Sequence, residues 1–196
     1  MPEDTQLSDS DGVFLVKTAR MAVTEFLSTG KKMKLESEHE KKFSFNSGVF
    51  VTLNNADGLR GCIGFPMPDK KLSNGIIDAA IAAATQDPRF SPVKINELNE
   101  IVFEVTVLTP PVEITVTDPM EYLEKIKVGR DGLIIRNSFS SGLLLPQVPV
   151  EYGWNVEEFL QHTCEKAGLE KDTWKNEKVK IEKFEGIVYK EETNGS

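Results

Sequence analysis

Residues 59 to 64 read Leu-Arg-Gly-Cys-Ile-Gly, and they hold the most chemically suggestive spacing in the chain. In an extended segment the period of two sends Leu59, Gly61 and Ile63 to one face and Arg60, Cys62 and Gly64 to the other. Arg60 and Cys62 are then same-face neighbours. A guanidinium that close favours thiolate over thiol, which makes Cys62 a candidate nucleophile or acid/base group and Arg60 its electrostatic support or an anion holder. Glycines weaken a strand interior, so Gly61 and Gly64 either mark a bulge or leave room for a ligand or a second backbone to approach. The plainer reading stands beside this one: Cys62 is a small buried hydrophobe and the glycines serve close packing. A thiol nucleophile is helped by a base, and the chain has two histidines, His39 and His162. Helical placement of residues 156 to 167 puts Val156, Phe159, Leu160, Thr163 and Ala167 on one face and His162 on the opposite flank, towards solvent.

Two further segments could contribute to a site. Residues 143 to 154, LLLPQVPVEYGW, join an apolar strand to a capped helix and carry Gln147, Tyr152 and Trp154, side chains suited to orienting a small polar ligand or, equally, to covering the edge of a core. In Asp87-Pro88-Arg89-Phe90 the arginine either closes a local ion pair that fixes a turn or offers an anion-binding group to the site. A phosphate-binding loop, a dinucleotide fingerprint, an HExxH metal pair and a nucleophile elbow are all missing from the sequence, so those familiar enzyme classes go unclaimed and no cofactor is evident. Cys62 and Cys164 have no second ligand pair beside them, which argues against structural zinc and a disulfide framework and for two free thiols.

The elements that must position these residues follow from periodicity. Leu15, Val16, Ala19, Ala22, Val23, Phe26 and Leu27 form a helical stripe over 13 to 28, while the charge-rich 31 to 42 reads as an exposed connection. Val49 to Leu53 and residues 59 to 64 flank the turn-forming NNADG and predict a hairpin, ended by FPMPD. An Ala-rich helix follows over 71 to 85, packed on more than one side and stopped at Asp87-Pro88. Residues 101 to 108, with Ile101, Phe103, Val105 and Val107 on one face, and VEITV after Pro110-Pro111 predict two more strands. Asp118-Pro119-Met120-Glu121 opens a short helix running to about Ile126. LIIR and LLLP flank NSFSSG as a hairpin, Asn155 caps a helix ending near Gly168, and Lys178 to Tyr189 alternates as a final strand or pair of strands. The expected class is α+β, a mixed or antiparallel sheet with packed helices.

A chain of 196 residues with 39% hydrophobic residues supports one domain, expected over 12 to 190, with an acidic flexible opening (1 to 11) and a flexible end (191 to 196). The net charge of −8 disfavours nucleic acid as a partner, because phosphate binding needs clustered Lys and Arg. The opening MPEDTQLSDSDG lacks the flanks of a signal peptide, and no apolar run reaches membrane-spanning length, so a cytoplasmic location without membrane partners is expected.

Taken together, LRGCIG at 59 to 64, DPRF at 87 to 90, EVTVLTPP at 104 to 111, GLLLPQV at 142 to 148, and Trp154 followed by FLQHTCEKAGL at 159 to 169 resemble the AMMECR1 domain over about residues 12 to 190. The resemblance implies an α+β fold with a larger and a smaller lobe sharing strands, and a cleft near the hexapeptide. It strengthens a site reading of Arg60, Gly61, Cys62 and Gly64, with Arg89, Gln147 and Trp154 as binding residues, and supplies no reaction. It also implies association with Memo-like and radical SAM proteins. Two uses of such a cleft remain open: a thiol-dependent enzyme or small-molecule site, and a non-catalytic module that accepts a peptide strand. A link to gene expression, which the family's human namesake carries, finds no DNA-reading element in this acidic chain.

Overall fold

The computed structural model describes residues 7–176 and 179–192. The chain divides into two compact units, one running to Leu108 and resuming at Ile187, the other spanning Thr109–Gly186.

Unit 1 opens with α1 (Asp9–Thr29), whose first turn is held by Ser8 and Asp11 in a reciprocal capping box and whose end turns at Gly30 with φ of 70°. The helix thus starts inside the segment expected to be flexible, of which residues 1 to 6 lie outside the described residues. α2 (Ser37–Lys42) falls in the stretch read as a connection; it buries none of its residues, and Met33 and Phe43 on either side anchor it instead. β1 (Val49–Asn55) and β2 (Gly58–Phe65) form the expected antiparallel hairpin, with an irregularity at Leu53/Asn54 and Gly58 at φ 112° in the turn. α3 (Leu72–Thr85) is buried around most of its circumference because Ala79, Ala80, Ala83 and Ala84 let its backbone approach both α1 and the β1–β2 hairpin. A 3-10 turn, Ile95–Glu100, leads into β3 (Val102–Leu108), where Phe103, Val105 and Val107 are buried as alternation requires. β3 pairs antiparallel with β1, giving the order β2-β1-β3. Val49, Val51, Leu53 and Gly61 turn to the helices with that set, while Phe50, Thr52, Cys62, Gly64, Glu104 and Thr106 share the opposite face and are half-buried.

Unit 2 begins with β4 (Val112–Glu113), shorter than the predicted VEITV strand. Asp118 caps a 3-10 turn, Pro119–Glu121, that continues as α4 (Tyr122–Lys125), as its Asp-Pro-x-Glu pattern dictates. β5 (Asp131–Arg136) pairs antiparallel with β6 (Ser141–Leu144). The junction of 147 to 154 is not a plain loop: α5 (Gln147–Tyr152) occupies it, closed by Gly153 in a left-handed conformation. α6 (Val156–Lys166) starts at Asn155 through a reciprocal box with Glu158 and buries Phe159, Leu160, Thr163 and Cys164. Gly142 lets β6 meet the backbone of Lys166 and Ala167, where any Cβ would collide. β7 (Lys180–Lys190) pairs with both β5 and β4; Lys178, where this strand was expected to begin, lies outside the described residues. The strand leaves unit 2 at Gly186 and its last residues belong to unit 1, beside β3. No described helix is long and apolar enough to cross a membrane.

Candidate functional site

β2 ends the sheet on its side of unit 1, so alternate residues turn their peptide groups away from β1 towards an edge. At Cys62 that edge is closed by side chains. The Cys62 N–H donates to Asp87 Oδ2 at 2.8 Å, and the Cys62 carbonyl accepts from Arg89 Nη2 at 3.4 Å. Two residues from the turn after α3 therefore stand where a neighbouring strand would pair. Arg89 is itself fixed on Asp87 by Nε to Oδ1 at 3.0 Å, Nη2 to Oδ2 at 2.8 Å and its peptide N–H to Oδ1 at 3.1 Å. Asp87 is 5% exposed, and the bond from Arg89, aided by the Cys62 N–H, holds its carboxyl well below the usual carboxylate range against the opposing effect of burial. Of the two readings open for Asp87 and Arg89, the ion pair that fixes a turn is the one present.

The side chain of Cys62 faces Thr52 directly across the β1–β2 pair. Since Cys62 directs its peptide groups at Asp87 and Arg89, this is a non-hydrogen-bonded pair, the kind in which side chains come closest. Thr52 Oγ1 donates to Cys62 Sγ at 3.3 Å. The row continues on β3, where Glu104 lies opposite Thr52 on its other side. Cys62, Thr52 and Glu104 thus form one line across three strands, all half-buried.

Arg60 is the residue left unpaired where the β1–β2 register shifts, between Leu59 opposite Asn54 and Gly61 opposite Leu53, and its guanidinium is engaged elsewhere than at the sulfur. It donates to Glu97 Oε2 at 3.0 Å and Oε1 at 3.4 Å and to the Ser91 carbonyl at 2.9 Å. The expectation that Arg60 holds Cys62 as thiolate is corrected accordingly: a carboxylate 37 residues downstream, fixed by its own bond from the Lys94 N–H at 2.8 Å, takes the charge instead. Arg60, then the Lys94 N–H, lowers the Glu97 carboxyl from its ordinary value. The glycines also resolve towards packing. A Cβ on Gly61 would strike the Ala83 carbonyl of α3, and one on Gly64 would strike the Phe50 ring. The room that they leave is occupied by the protein's own atoms.

A sequence model of the AMMECR1 family matches residues 16–189. The chain belongs to the AMMECR1 family. Protein MJ0810 of Methanocaldococcus jannaschii is 52% identical over 187 residues, covering 94% of this chain and 92% of that protein. Protein PYRAB00100 of Pyrococcus abyssi is 49% identical over 192 residues, covering 95% and 93%. The crystal structure of uncharacterized protein PH0010 from Pyrococcus horikoshii superposes with a TM-score of 0.78 at 50% identity, covering 95% of this chain and 94% of that one. The α+β fold of this AMMECR1 member is shared with that relative.

Within this AMMECR1 chain the remaining candidates fall elsewhere. Gln147, exposed at the start of α5, and Trp154 belong to unit 2, whereas Arg60, Gly61, Cys62, Gly64 and Arg89 gather in unit 1. The Trp154 ring is stacked between Tyr152 at 4.9 Å and His162 at 3.9 Å, so its face is used by neighbours. His162 is hydrogen-bonded to Glu165 at 2.8 Å and remains on the surface. His39 stacks on Phe14 at 4.1 Å. Cys164, fully buried on α6, has its thiol pushed up to about 11 by burial, whereas Cys62 is half-buried. Among the described residues no group of three or more His, Cys, Asp or Glu is placed to hold a metal ion. Sequence reasoning missed Thr52, Glu97 and Glu104; for Thr52 and Glu104 the signal was there, since both alternate with buried neighbours and had to lie on the Cys62 face once the hairpin and β3 were paired.

Proposed function

We propose that the face of β1, β2 and β3 turned away from α1 and α3 is a small-molecule site at which Cys62 is the reactive group. The observation that carries this reading is the way Cys62 is held: half-buried, its backbone fixed at both peptide groups by Asp87 and Arg89, its sulfur receiving the Thr52 hydroxyl at 3.3 Å. A thiol that only filled space would need none of these constraints; a nucleophile benefits from each, because fixing the attacking atom removes orientational freedom before the reaction begins. A hydroxyl that donates to sulfur leaves the sulfur lone pairs, rather than an S–H bond, as the interacting group.

The alternative use as a peptide-accepting module is less well supported. Strand addition at β2 would have to displace Asp87 and Arg89 from the edge at Cys62, and the glycines are already filled against Ala83 and Phe50. The family resemblance implies Memo-like and radical SAM proteins as companions; in this reading they act on, or deliver, the molecule handled at Cys62. The test is alkylation of the folded protein with iodoacetamide at pH 7, with the adducts located by mass spectrometry. One adduct at Cys62, slowed several-fold by Thr52→Val and absent in Cys62→Ser, is expected. A Cys62 that resists the reagent as Cys164 does would end the proposal.

A further inference from the structure

The chain carries a net charge of −8, yet the surface at the start of α3 is basic. Lys32 and Lys34 reach it from the charge-rich connection after α1, and Lys70 and Lys71 lead into the helix. Asp78, one turn along α3, accepts Lys32 at 2.5 Å and Lys70 at 3.1 Å, so two ammonium groups share one carboxylate. Beside them lies an open cavity of about 370 Å³, lined by Lys32, Lys34, Leu35, Glu40, Ser73 and Asn74 among others. Ser73 is the unusual member of this wall. It is 1% exposed, and its hydroxyl has no hydrogen-bond partner among the described residues. A hydroxyl withdrawn from water without an acceptor costs free energy that an incoming acceptor restores. The first peptide groups of α3 are already used: the Leu72 and Ser73 N–H groups donate to the Phe45 and Phe43 carbonyls at 2.9 Å each, and those of Asn74 and Gly75 donate to the Lys71 carbonyl. The Ser73 hydroxyl is therefore the donor that the helix start still has to offer.

We propose that this cavity is a second site, separate from Cys62, and that it binds a small phosphate monoester. Ser73 donates its hydroxyl to one phosphate oxygen, the Asn74 amide and the Lys34 ammonium serve the others, and the positive end of the 14-residue α3 favours the charge. A phosphate suits this set better than a carboxylate, because it brings three acceptor oxygens and close to two negative charges to donors that come from two separate segments. Glu40, exposed on α2, is the carboxylate of the wall and repels the phosphate end; it accepts instead a hydroxyl on the carbon body of the ester, which rests against Leu35. The volume lies at the small end of the range for ligand cavities, which fits a body of a few carbon atoms rather than a nucleotide.

The test is a titration of the full chain with glycerol 3-phosphate, inorganic phosphate and acetate at constant ionic strength and pH 7.5, followed by amide NMR shifts. Glycerol 3-phosphate is expected to give saturable shifts confined to residues 32 to 40 and 72 to 77, with acetate at least about tenfold weaker. Ser73→Ala should weaken glycerol 3-phosphate by at least about fivefold, and Lys34→Gln by at least about threefold. Both variants fold: Lys34 is exposed, and the Ser73 hydroxyl makes no bond that alanine would lose, so in chloride buffer Ser73→Ala keeps the thermal midpoint of wild type. Added glycerol 3-phosphate then raises the midpoint of wild type and not that of Ser73→Ala. Shifts that never saturate, or an affinity that both variants leave unchanged, would mean an adventitious ion only and overturn the site. Acetate binding as tightly as the ester overturns the phosphate assignment. Neither result touches the reading of Cys62, which is judged by its alkylation.

Discussion

Asp87 accepts the peptide N–H of Cys62 at 2.8 Å, so the turn that ends α3 governs the backbone of the strand that carries the thiol. The same carboxylate binds Arg89 through two guanidinium nitrogens. Replacing it by alanine leaves a buried N–H and a guanidinium without their acceptor, and Asp87→Ala is expected to cost about 1–3 kcal/mol in urea unfolding. The pH dependence follows from the carboxyl being held below its ordinary value in the folded state. Such a group contributes stability that is present above its unfolded value, about 3.9, and is lost as pH falls towards the folded value. The advantage of wild type over Asp87→Asn should be constant between about pH 5 and 7 and shrink progressively below about pH 4. A difference that stayed constant down to pH 2 would contradict the pairing.

Gly61 and Gly64 are both closed against fixed atoms. A methyl group at Gly61 meets the Ala83 carbonyl oxygen of α3, and one at Gly64 meets the Phe50 ring and the Val49 carbonyl oxygen. Gly61→Ala and Gly64→Ala are therefore each expected to destabilise by about 1–3 kcal/mol, read as thermal unfolding midpoints. Unchanged stability in either variant would show that the hairpin is not packed as described.

Glu191, just after β7, is tied into unit 1 by Arg20. Its guanidinium bonds Glu191 at 2.6 Å, the Leu98 carbonyl at 2.9 Å and the Ile101 carbonyl at 2.6 Å, and lies 4.6 Å from the centre of the Phe103 ring. Glu191 also accepts the Phe103 N–H at 2.9 Å. Glu191→Ala should lower unfolding stability by about 1–3 kcal/mol, and Arg20→Lys should cost a comparable amount because an ammonium cannot make the forked bond. Stability unaffected by either change would mean that the Arg20–Glu191 pair does not anchor this part of unit 1.

Local pattern carried most of the fold. Alternation in IVFEVTVL put Phe103, Val105 and Val107 in the core, Asp118-Pro119-Met120-Glu121 and Asn155 marked helix starts, and the parity of LRGCIG separated buried Gly61 from half-buried Cys62. What escaped was non-local. Arg60 was matched with its nearest thiol because spacing along one strand was all that could be seen, whereas Glu97 reaches it from a separate 3-10 turn. The Asp87 bond to Cys62 depends on β2 being an edge strand, a property of strand order rather than of any residue. Glu104 joined the site only through the β1–β3 register. α5 was missed for a local reason: Pro146 and Pro149 argue against a helix, yet both fall at its start, where no donor is required of them.

The contrast between the two cysteines provides the most direct measurement. Iodoacetamide rate constants at each thiol are compared in the folded protein and in the same protein unfolded in urea at pH 7, resolved by peptide mass spectrometry. If Cys62 is a thiol held ready for reaction, its folded-state rate equals or exceeds its unfolded-state rate, while Cys164 is protected by folding at least about a hundredfold. A Cys62 whose reaction is also suppressed by folding would be a packing residue, and the chemical role assigned to it would be wrong.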